Sequence, residues 1–178
     1  MDAKGRGDFV SLRQAWVGRE NPTTIIVLAG SYTLWGVKNV KMKSFQIIGD
    51  GNVNVAGDIS SQSATLFSAF NADTHMYLEN LKIRFVVDVG HATTRHCVAV
   101  NNGARATVTR CEMRSSGASC FSDGQGSSLV LLECKTFGPG AGPLVTNYGF
   151  MEAQACHFSR SKGMGVEVRT FGSCFFLK

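Results

Sequence analysis

Two columns of mostly apolar residues recur along this chain, and their common period constrains the fold more than any other feature. The first column repeats the pattern apolar-x-x-Cys, with Leu in the Cys place once; its members are Leu81, Cys111, Cys134, Cys156 and Cys174. The second moves in step with it; its members are Leu66, Cys97, Cys120, Leu144 and Val166. Polar turn sequences follow the first four members. Two columns in phase at about 23 residues indicate a coil that repeats in space.

The period predicts an all-β fold, a single-stranded right-handed parallel β-helix whose coils stack at about 4.8 Å. After Pro22, short strand-like segments alternate with Gly, Asn and Asp, and the gaps are too short for helices, which excludes a βαβ sheet. One coil cannot bury its own apolar side chains, so stacked coils share a continuous core. The 20 Gly then suit corners, and only 3 Pro interrupt the hydrogen bonding between coils.

The 178 residues are predicted to form a single domain over 1–178, with stacked coils at 23–178. Helical periodicity occurs only near the start, where Leu12 and Ala15 belong to an apolar stripe. This stripe predicts a short amphipathic α-helix over 8–20. We expect this helix to cap the first coil, because an open solenoid end exposes apolar side chains and unpaired strand edges.

The six cysteines raise the hypotheses of disulfides, a metal site and a nucleophile. No C-x-x-C pair occurs, and no His follows at zinc-finger spacing. Their spacing in two inward columns instead predicts reduced core residues, with no metal and no cofactor. Reduced cysteines, the lack of a secretory signal at the start and the lack of a membrane-length apolar run predict a cytoplasmic protein with no membrane partner.

Several early segments resemble the pectin-lyase-like superfamily of right-handed β-helices, and most closely the pectinesterases. These segments are 24–32, 47–51, 63–65 and 78–83. The resemblance covers about residues 8–85 by motif and the remainder by coil pattern only. The catalytic stretches of pectinesterases, Gln-Asp-Thr, Asp-Phe-x-Phe-Gly and Gly-Arg-x-Trp, do not occur. Later coils resemble the β-helix modules of F-box and other adaptor proteins, which implies a binding surface.

In active members of the superfamily, the face beside the second column is the polysaccharide groove. On this face only Asp123, Glu167 and Arg169 are eligible as catalytic candidates. Acid–base chemistry on a sugar polymer needs two placed carboxylates or a metal-held one. The Asp-Gly-Gln-Gly turn by itself accounts for Asp123. We therefore favour a protein that is not an enzyme.

Strand alternation predicts an outward apolar column on the same face, which we interpret as a binding surface together with a nearby Asn. Its residues are Phe67, Val98, Phe121, Val145 and Asn147. An outward apolar column favours a face that a partner, a neighbouring domain or a loop covers.

A longer step between residues 81 and 111 predicts an insertion loop. The loop contains Asp88, His91, Arg95 and His96. Insertions in repeat proteins lie on the surface and often on the binding side. An Asp/His/His set invites a metal hypothesis, but no fourth ligand and no fixed spacing support it. We interpret the loop as a polar lid.

These features favour a non-enzymatic recognition or scaffold module that binds a protein partner. Two alternatives stay open: a carbohydrate-binding or carbohydrate-active protein of the same superfamily, and a structural component that stacks through an open C-terminal coil at 174–178. Nucleic acid is not expected, because the net charge of +5 is scattered and the cluster of Lys38, Lys41 and Lys43 is small.

Overall fold

A computed structural model describes part of the chain, namely residues 11–12, 15, 23–34, 37–38, 44–58, 64–86, 95–137, 142–159 and 165–178. The described residues form seventeen strands, all of them paired in parallel. They are β1 (Thr23–Leu34), β2 (Val37–Lys38), β3 (Ser44–Gly57), β4 (Thr65–Phe70), β5 (His75–Glu79), β6 (Lys82–Phe85), β7 (His96–Asn101), β8 (Arg105–Thr109), β9 (Glu112–Ser115), β10 (Cys120–Asp123), β11 (Ser128–Leu132), β12 (Lys135–Thr136), β13 (Leu144–Thr146), β14 (Phe150–Gln154), β15 (His157–Phe158), β16 (Glu167–Val168) and β17 (Ser173–Leu177). Within this part of the chain, no helix is long and apolar enough to cross a membrane.

The strands build three walls of a solenoid. The first wall runs from the N-terminal half of β3 through β5, β8, β11 and β14 to β17. The second runs from the C-terminal half of β3 through β6, β9 and β12 to β15. The third contains β2, β4, β7, β10, β13 and β16. Because the chain visits the walls in turn and each strand pairs with its counterparts in neighbouring coils, the predicted all-β parallel β-helix is confirmed.

Of the predicted cap helix at 8–20, only Ser11, Leu12 and Ala15 lie among the described residues. The N–H of Ala15 donates a hydrogen bond to the carbonyl oxygen of Ser11 at 3.1 Å, which is helical spacing. Leu12 and Ala15 are buried and belong to the core. The rest of the predicted helix lies outside the described residues, so the cap stays a prediction.

The cysteine ladder exists for four of its five predicted members. Backbone N–H groups of the next coil donate to the carbonyl oxygens of Leu81, Cys111 and Cys134, each at 2.9 Å, so that these residues and Cys156 stack on successive coils. Each coil therefore places a small or branched apolar side chain at the same corner of the core, as the sequence pattern predicts.

The prediction for Cys174 was wrong. Strand β17 pairs with β14 so that Cys174 stands beside Met151 on the first wall, away from the cysteine corner. The apolar residue of the matching motif, Phe171, lies in a turn with φ of 59° and does not belong to a strand. The motif at 171–174 has the same residue types as the earlier motifs, but it does not occupy the same position in its coil.

All six cysteines are free, but their surroundings differ. Burial raises the pKa of Cys111 and of Cys120 to about 12 and that of Cys174 to about 11. The half-buried Cys156 is the exception, because a hydrogen bond from the Cys134 thiol lowers its pKa. The backbone N–H of Cys134 also donates to the sulfur of Cys156 at 3.4 Å.

We expect Cys156 to be the fast-reacting thiol of the native protein at neutral pH. The thiolate is the nucleophile, and Cys156 combines a lowered pKa with partial exposure. Iodoacetamide followed by mass spectrometry should modify Cys156 at least about 10-fold faster than the other five thiols. Cys156→Ser should remove the fast phase, whereas Cys174→Ser, at an equally half-buried thiol, should leave it; modification of Cys174 first would contradict this reading.

The corner between the first and second walls is a column of residues in the left-handed region. Asn80, Arg110, Glu133 and Ala155 have φ values of 55°, 50°, 54° and 51°. Each donates its backbone N–H to a carbonyl of the next coil, so one sharp corner repeats four times. The side chain of Asn80 also donates to the carbonyl oxygen of Gly49 at 2.8 Å. A non-glycine residue in this conformation is strained by roughly 1–2 kcal/mol.

Ala155 has no side-chain polar group to offset this strain. We expect Ala155→Gly to raise the free energy of unfolding by about 0.5–1 kcal/mol, because the relieved strain exceeds the added entropy of the unfolded chain. Gln154→Gly, an exposed neighbour inside β14, should lower it by a similar amount, because it adds only the entropy cost. Urea unfolding measures both variants, and destabilisation by Ala155→Gly would refute the strain argument.

The turns between the third and first walls vary in length although the strands around them stay in register. Asp123 at the end of β10 pairs with Thr146 at the end of β13, and Ser128 at the start of β11 pairs with Phe150 at the start of β14. Four residues (124–127) nevertheless connect β10 to β11, whereas three (147–149) connect β13 to β14. The extra residue is accommodated in the Gly-rich turn, where Gly124 and Gly126 have φ of 90° and 78°.

The predicted outward apolar column on the third wall was wrong. Phe67, Val98 and Val145 are fully buried members of the core, and only Phe121 is partly exposed. Val98 pairs with Phe67 on one side, as the column predicts, but on the other side it pairs with Cys120 and not with Phe121. The predicted alignment is therefore wrong by one residue between β7 and β10. Because side chains alternate along a strand, a slip of one residue exchanges the inner and outer faces.

Candidate functional site

The outer edge of the third wall places three polar residues on successive coils. Asp123 pairs with Thr146 across β10 and β13. The backbone N–H of Arg169 donates to the carbonyl oxygen of Val145 at 2.8 Å, which puts Arg169 beside Thr146 on the next coil. Neighbouring strands lie about 4.8 Å apart, so the three side chains form a short polar row.

Two side-chain contacts tie this row to its neighbours. The amide of Asn147 donates to Oδ1 of Asp123 at 2.7 Å across two coils. The guanidinium of Arg169 forms an ion pair with the carboxylate of Glu167, two residues earlier. The structure thus groups the catalytic candidates Asp123, Glu167 and Arg169 with Asn147 at one edge, and it engages both carboxylates with another side chain.

Two aromatic rings lie next to this row and were missed by the sequence analysis. Tyr148 and Phe171 stack with ring centroids 5.1 Å apart and an interplanar angle of 13°. They are 59% and 77% exposed. The two residues are separated by the same period of about 23 residues that defines the coils, and this signal could have found them.

The aromatic pair is held at an energetic cost. Tyr148 and Phe171 have φ of 64° and 59°, and the residues before them, Asn147 and Thr170, have φ of 50° and 46°. Bulky residues rarely adopt the left-handed region, and such strain concentrates at binding sites. The arrangement presents a flat apolar platform bordered by an amide, a hydroxyl, a carboxylate and a guanidinium.

The remaining predicted surface residues lie around a different contact. The ring of Phe121 packs edge to face on His96 with centroids 5.0 Å apart. His96 Nδ1 lies 2.9 Å from the carbonyl oxygen of Ala118. Phe121 therefore has an intramolecular partner on the outer face.

The predicted insertion loop is described only at its end. Asp88 and His91 lie outside the described residues. Arg95 is buried, with its guanidinium carbon 5.2 Å from the centroid of the Phe85 ring. Within the described segments, no three His, Cys, Asp or Glu side chains converge as metal ligands would. The lid interpretation stays a prediction.

Comparison with known proteins identifies the fold. The chain matches no family profile and no curated protein sequence. Among solved structures, a partly deglycosylated pectin methylesterase from Aspergillus niger superposes with a TM-score of 0.59 at 12% identity, covering 99% of this chain and 74% of that one. A second crystal structure of this esterase, in deglycosylated form, gives a TM-score of 0.47 at 10% identity, covering 96% and 83%.

The first of these likenesses confirms the resemblance drawn from the sequence. The chain has the parallel β-helix fold of this esterase structure. At 12% identity the likeness concerns the fold alone, and fold does not determine function. The chemistry of this chain must therefore be argued from its own residues.

His96 is expected to make folding pH-dependent. Burial lowers its pKa, an effect that the hydrogen bond to Ala118 only partly offsets. The unfolded chain therefore binds a proton near pH 6.5 that the folded chain takes up only at lower pH, so stability falls as pH drops from about 7.5 to 5.5.

Chemical unfolding across this range tests the expectation. His96→Gln should flatten the pH dependence, by at most about 1.4 kcal/mol per pH unit. His75→Gln should also flatten the pH dependence, because burial and the charge of Arg105 lower the pKa of His75 as well. An unchanged slope in His96→Gln would show that its proton is not linked to folding.

Proposed function

We propose that this chain is a non-catalytic carbohydrate-binding β-helix whose ligand stacks on the Tyr148–Phe171 platform. The observation that carries the proposal is the exposed, parallel pair of rings on two successive coils. A sugar ring has an apolar face of C–H groups and a rim of hydroxyls. A flat aromatic surface with polar groups beside it matches both parts.

The strained backbone supports a binding role over a purely structural one. Stacking of two exposed rings buries little surface from water, whereas the left-handed conformation of both residues costs roughly 1–2 kcal/mol each. Turns at this edge can be built from Gly and Asn, as Asn102, Gly103 and Gly124 show. Aromatic residues are therefore not required for the turn.

The charge of the polar row favours an uncharged glycan. Asp123 and Glu167 contribute two carboxylates, and Arg169 contributes one guanidinium that is already paired with Glu167. A polymer with a carboxylate on every sugar would meet net negative charge here. Hydroxyl groups can instead bond to Asp123, Thr146 and Asn147 without a charge conflict.

The contacts of the carboxylates support binding without turnover. General acid–base chemistry needs a carboxyl group free to exchange a proton with the substrate. Asp123 accepts a hydrogen bond from Asn147, and Glu167 is held by Arg169. The name of the structural neighbour gives pectin as a first glycan to test, and methyl-esterified pectin is largely uncharged.

A glycan panel tests the proposal. Affinity electrophoresis and calorimetry would compare methyl-esterified pectin, polygalacturonate and a neutral glucan. We expect an uncharged polymer to bind more tightly than polygalacturonate. Tyr148→Ala and Phe171→Ala should each weaken binding by about 5- to 30-fold, in line with 1–2 kcal/mol for a stacked ring.

Phe175→Ala provides a matched control, because Phe175 is an equally exposed aromatic residue on the first wall, away from the platform. It should leave glycan binding unchanged. Release of methanol or of reducing ends, lost in Asp123→Asn, would overturn the non-catalytic part of the proposal. Failure of every glycan to bind would overturn the whole.

The predicted self-association through the last coil has one supporting feature. Phe175, Phe176 and Leu177 on β17 are all more than half exposed. Phe176 continues the inward column of Leu131 and Ala153. Self-association through this face stays a prediction, as does the cytoplasmic location.

A further inference from the structure

A cleft lies on the outer face of the second wall, away from the aromatic platform. It has a volume of about 390 Å³, which falls in the range of small-ligand and peptide side-chain pockets. Three cationic side chains line it, those of Lys82, Arg84 and Arg114, together with one carboxylate, that of Glu112. The cleft is thus a local concentration of positive charge, with three cationic side chains to one carboxylate.

Two arginines stand side by side in this cleft. Arg84 on β6 pairs with Arg114 on β9, so their side chains leave neighbouring strands at the same height. Both are exposed. The outward ladder that contains them continues to Ala56 on one side and to Phe137 on the other, without a carboxylate. Like charges directly opposite each other destabilise a sheet, so the pair is unfavourable unless an anion bridges it.

The neighbouring ladder carries both signs of charge. Lys82, Glu112 and Lys135 face outward on successive strands β6, β9 and β12. Lys82 lies two residues before Arg84, and Glu112 lies two residues before Arg114, a separation of about 6.6 Å along each strand. The cleft therefore offers a doubly cationic position beside a single anionic one.

We propose that this cleft binds a phosphorylated segment of a protein partner, with the phosphoryl group between Arg84 and Arg114. A phosphoryl ester carries a charge of about −1.5 to −2 at neutral pH, which matches two guanidinium groups, and arginine bonds its oxygens in bidentate fashion. Phe137, which is 39% exposed at the end of the arginine ladder, offers an apolar contact for the flanking residues.

The mixed charge of the cleft favours a peptide over a uniform polyanion. Nucleic acids and polyuronates repeat single negative charges along the chain, whereas a phosphoryl ester concentrates its charge at one point, as the side-by-side arginines do. A peptide can place a basic residue opposite Glu112 and a phosphoryl group opposite the arginines. This site is independent of the glycan platform on the third wall, so either proposal can fail alone.

A titration with defined peptides tests the inference. The probe is a fluorescent peptide of about ten residues with one phosphoserine and a lysine two residues away, the other positions being Gly, Ala and Ser. We expect binding that weakens as salt rises and at least about 10-fold weaker binding of the unphosphorylated peptide. Arg84→Gln and Arg114→Gln should each weaken phosphopeptide binding by at least about 10-fold.

Matched variants separate the cleft from net charge. Arg105→Gln removes an exposed cation from the first wall and should change the affinity by less than about twofold. Glu112→Gln should abolish the preference for the lysine-containing peptide over a glycine-containing one. Far-UV circular dichroism and thermal unfolding of each variant establish that the fold is intact.

Four results would overturn the inference. They are equal binding of the unphosphorylated peptide, wild-type affinity in both arginine variants, equal affinity for inorganic phosphate alone, and tighter binding of single-stranded RNA or polygalacturonate than of the phosphopeptide. The third would identify free phosphate as the ligand, and the fourth a polyanion.

Discussion

Hydrogen bonding between successive coils is the interaction on which every other feature of this structure depends. A single coil of about 23 residues cannot bury its apolar side chains, so no coil is stable alone. Parallel pairing aligns each residue with its counterpart one coil away and turns sequence repeats into columns. The cysteine corner, the left-handed corner and the aromatic platform are all such columns, and each exists only because the register is kept on both sides.

The sequence was sufficient to predict the columns at one corner. Leu81, Cys111 and Cys134 are buried, and the half-buried Cys156 packs against the same core, so all four occupy the inner face of the corner. The left-handed column lies immediately before them, so its position follows from the same pattern. The parallel β-helix could be predicted from these columns because one repeat length and one orientation account for all of them.

The third wall could not be predicted to the same precision. Strand β4 is buried on both faces from Thr65 to Ala69, so apolar content does not reveal which side chains face the core. The segments that precede this wall differ in length, with four residues between β9 and β10 but seven between β12 and β13, and a fixed period cannot reveal where the added residues lie. The predicted exposed column, with Phe67 and Val145, failed for this reason. Tyr148 and Phe171 lie in turns, where the alternation of side chains along a strand gives no indication of which rings are exposed.

The variable turns have a consequence for how such a chain changes over generations. The turn 124–127 has one residue more than the turn 147–149 of the next coil, yet the strands on both sides stay paired. The hydrogen bonds to the neighbouring coils fix where each strand begins, so the extra residue does not disturb them. Length changes are thus confined to the surface of a single coil. The edge that carries the aromatic platform can therefore be lengthened, shortened or given new side chains without a matching change in the core, so new specificities can arise there one coil at a time.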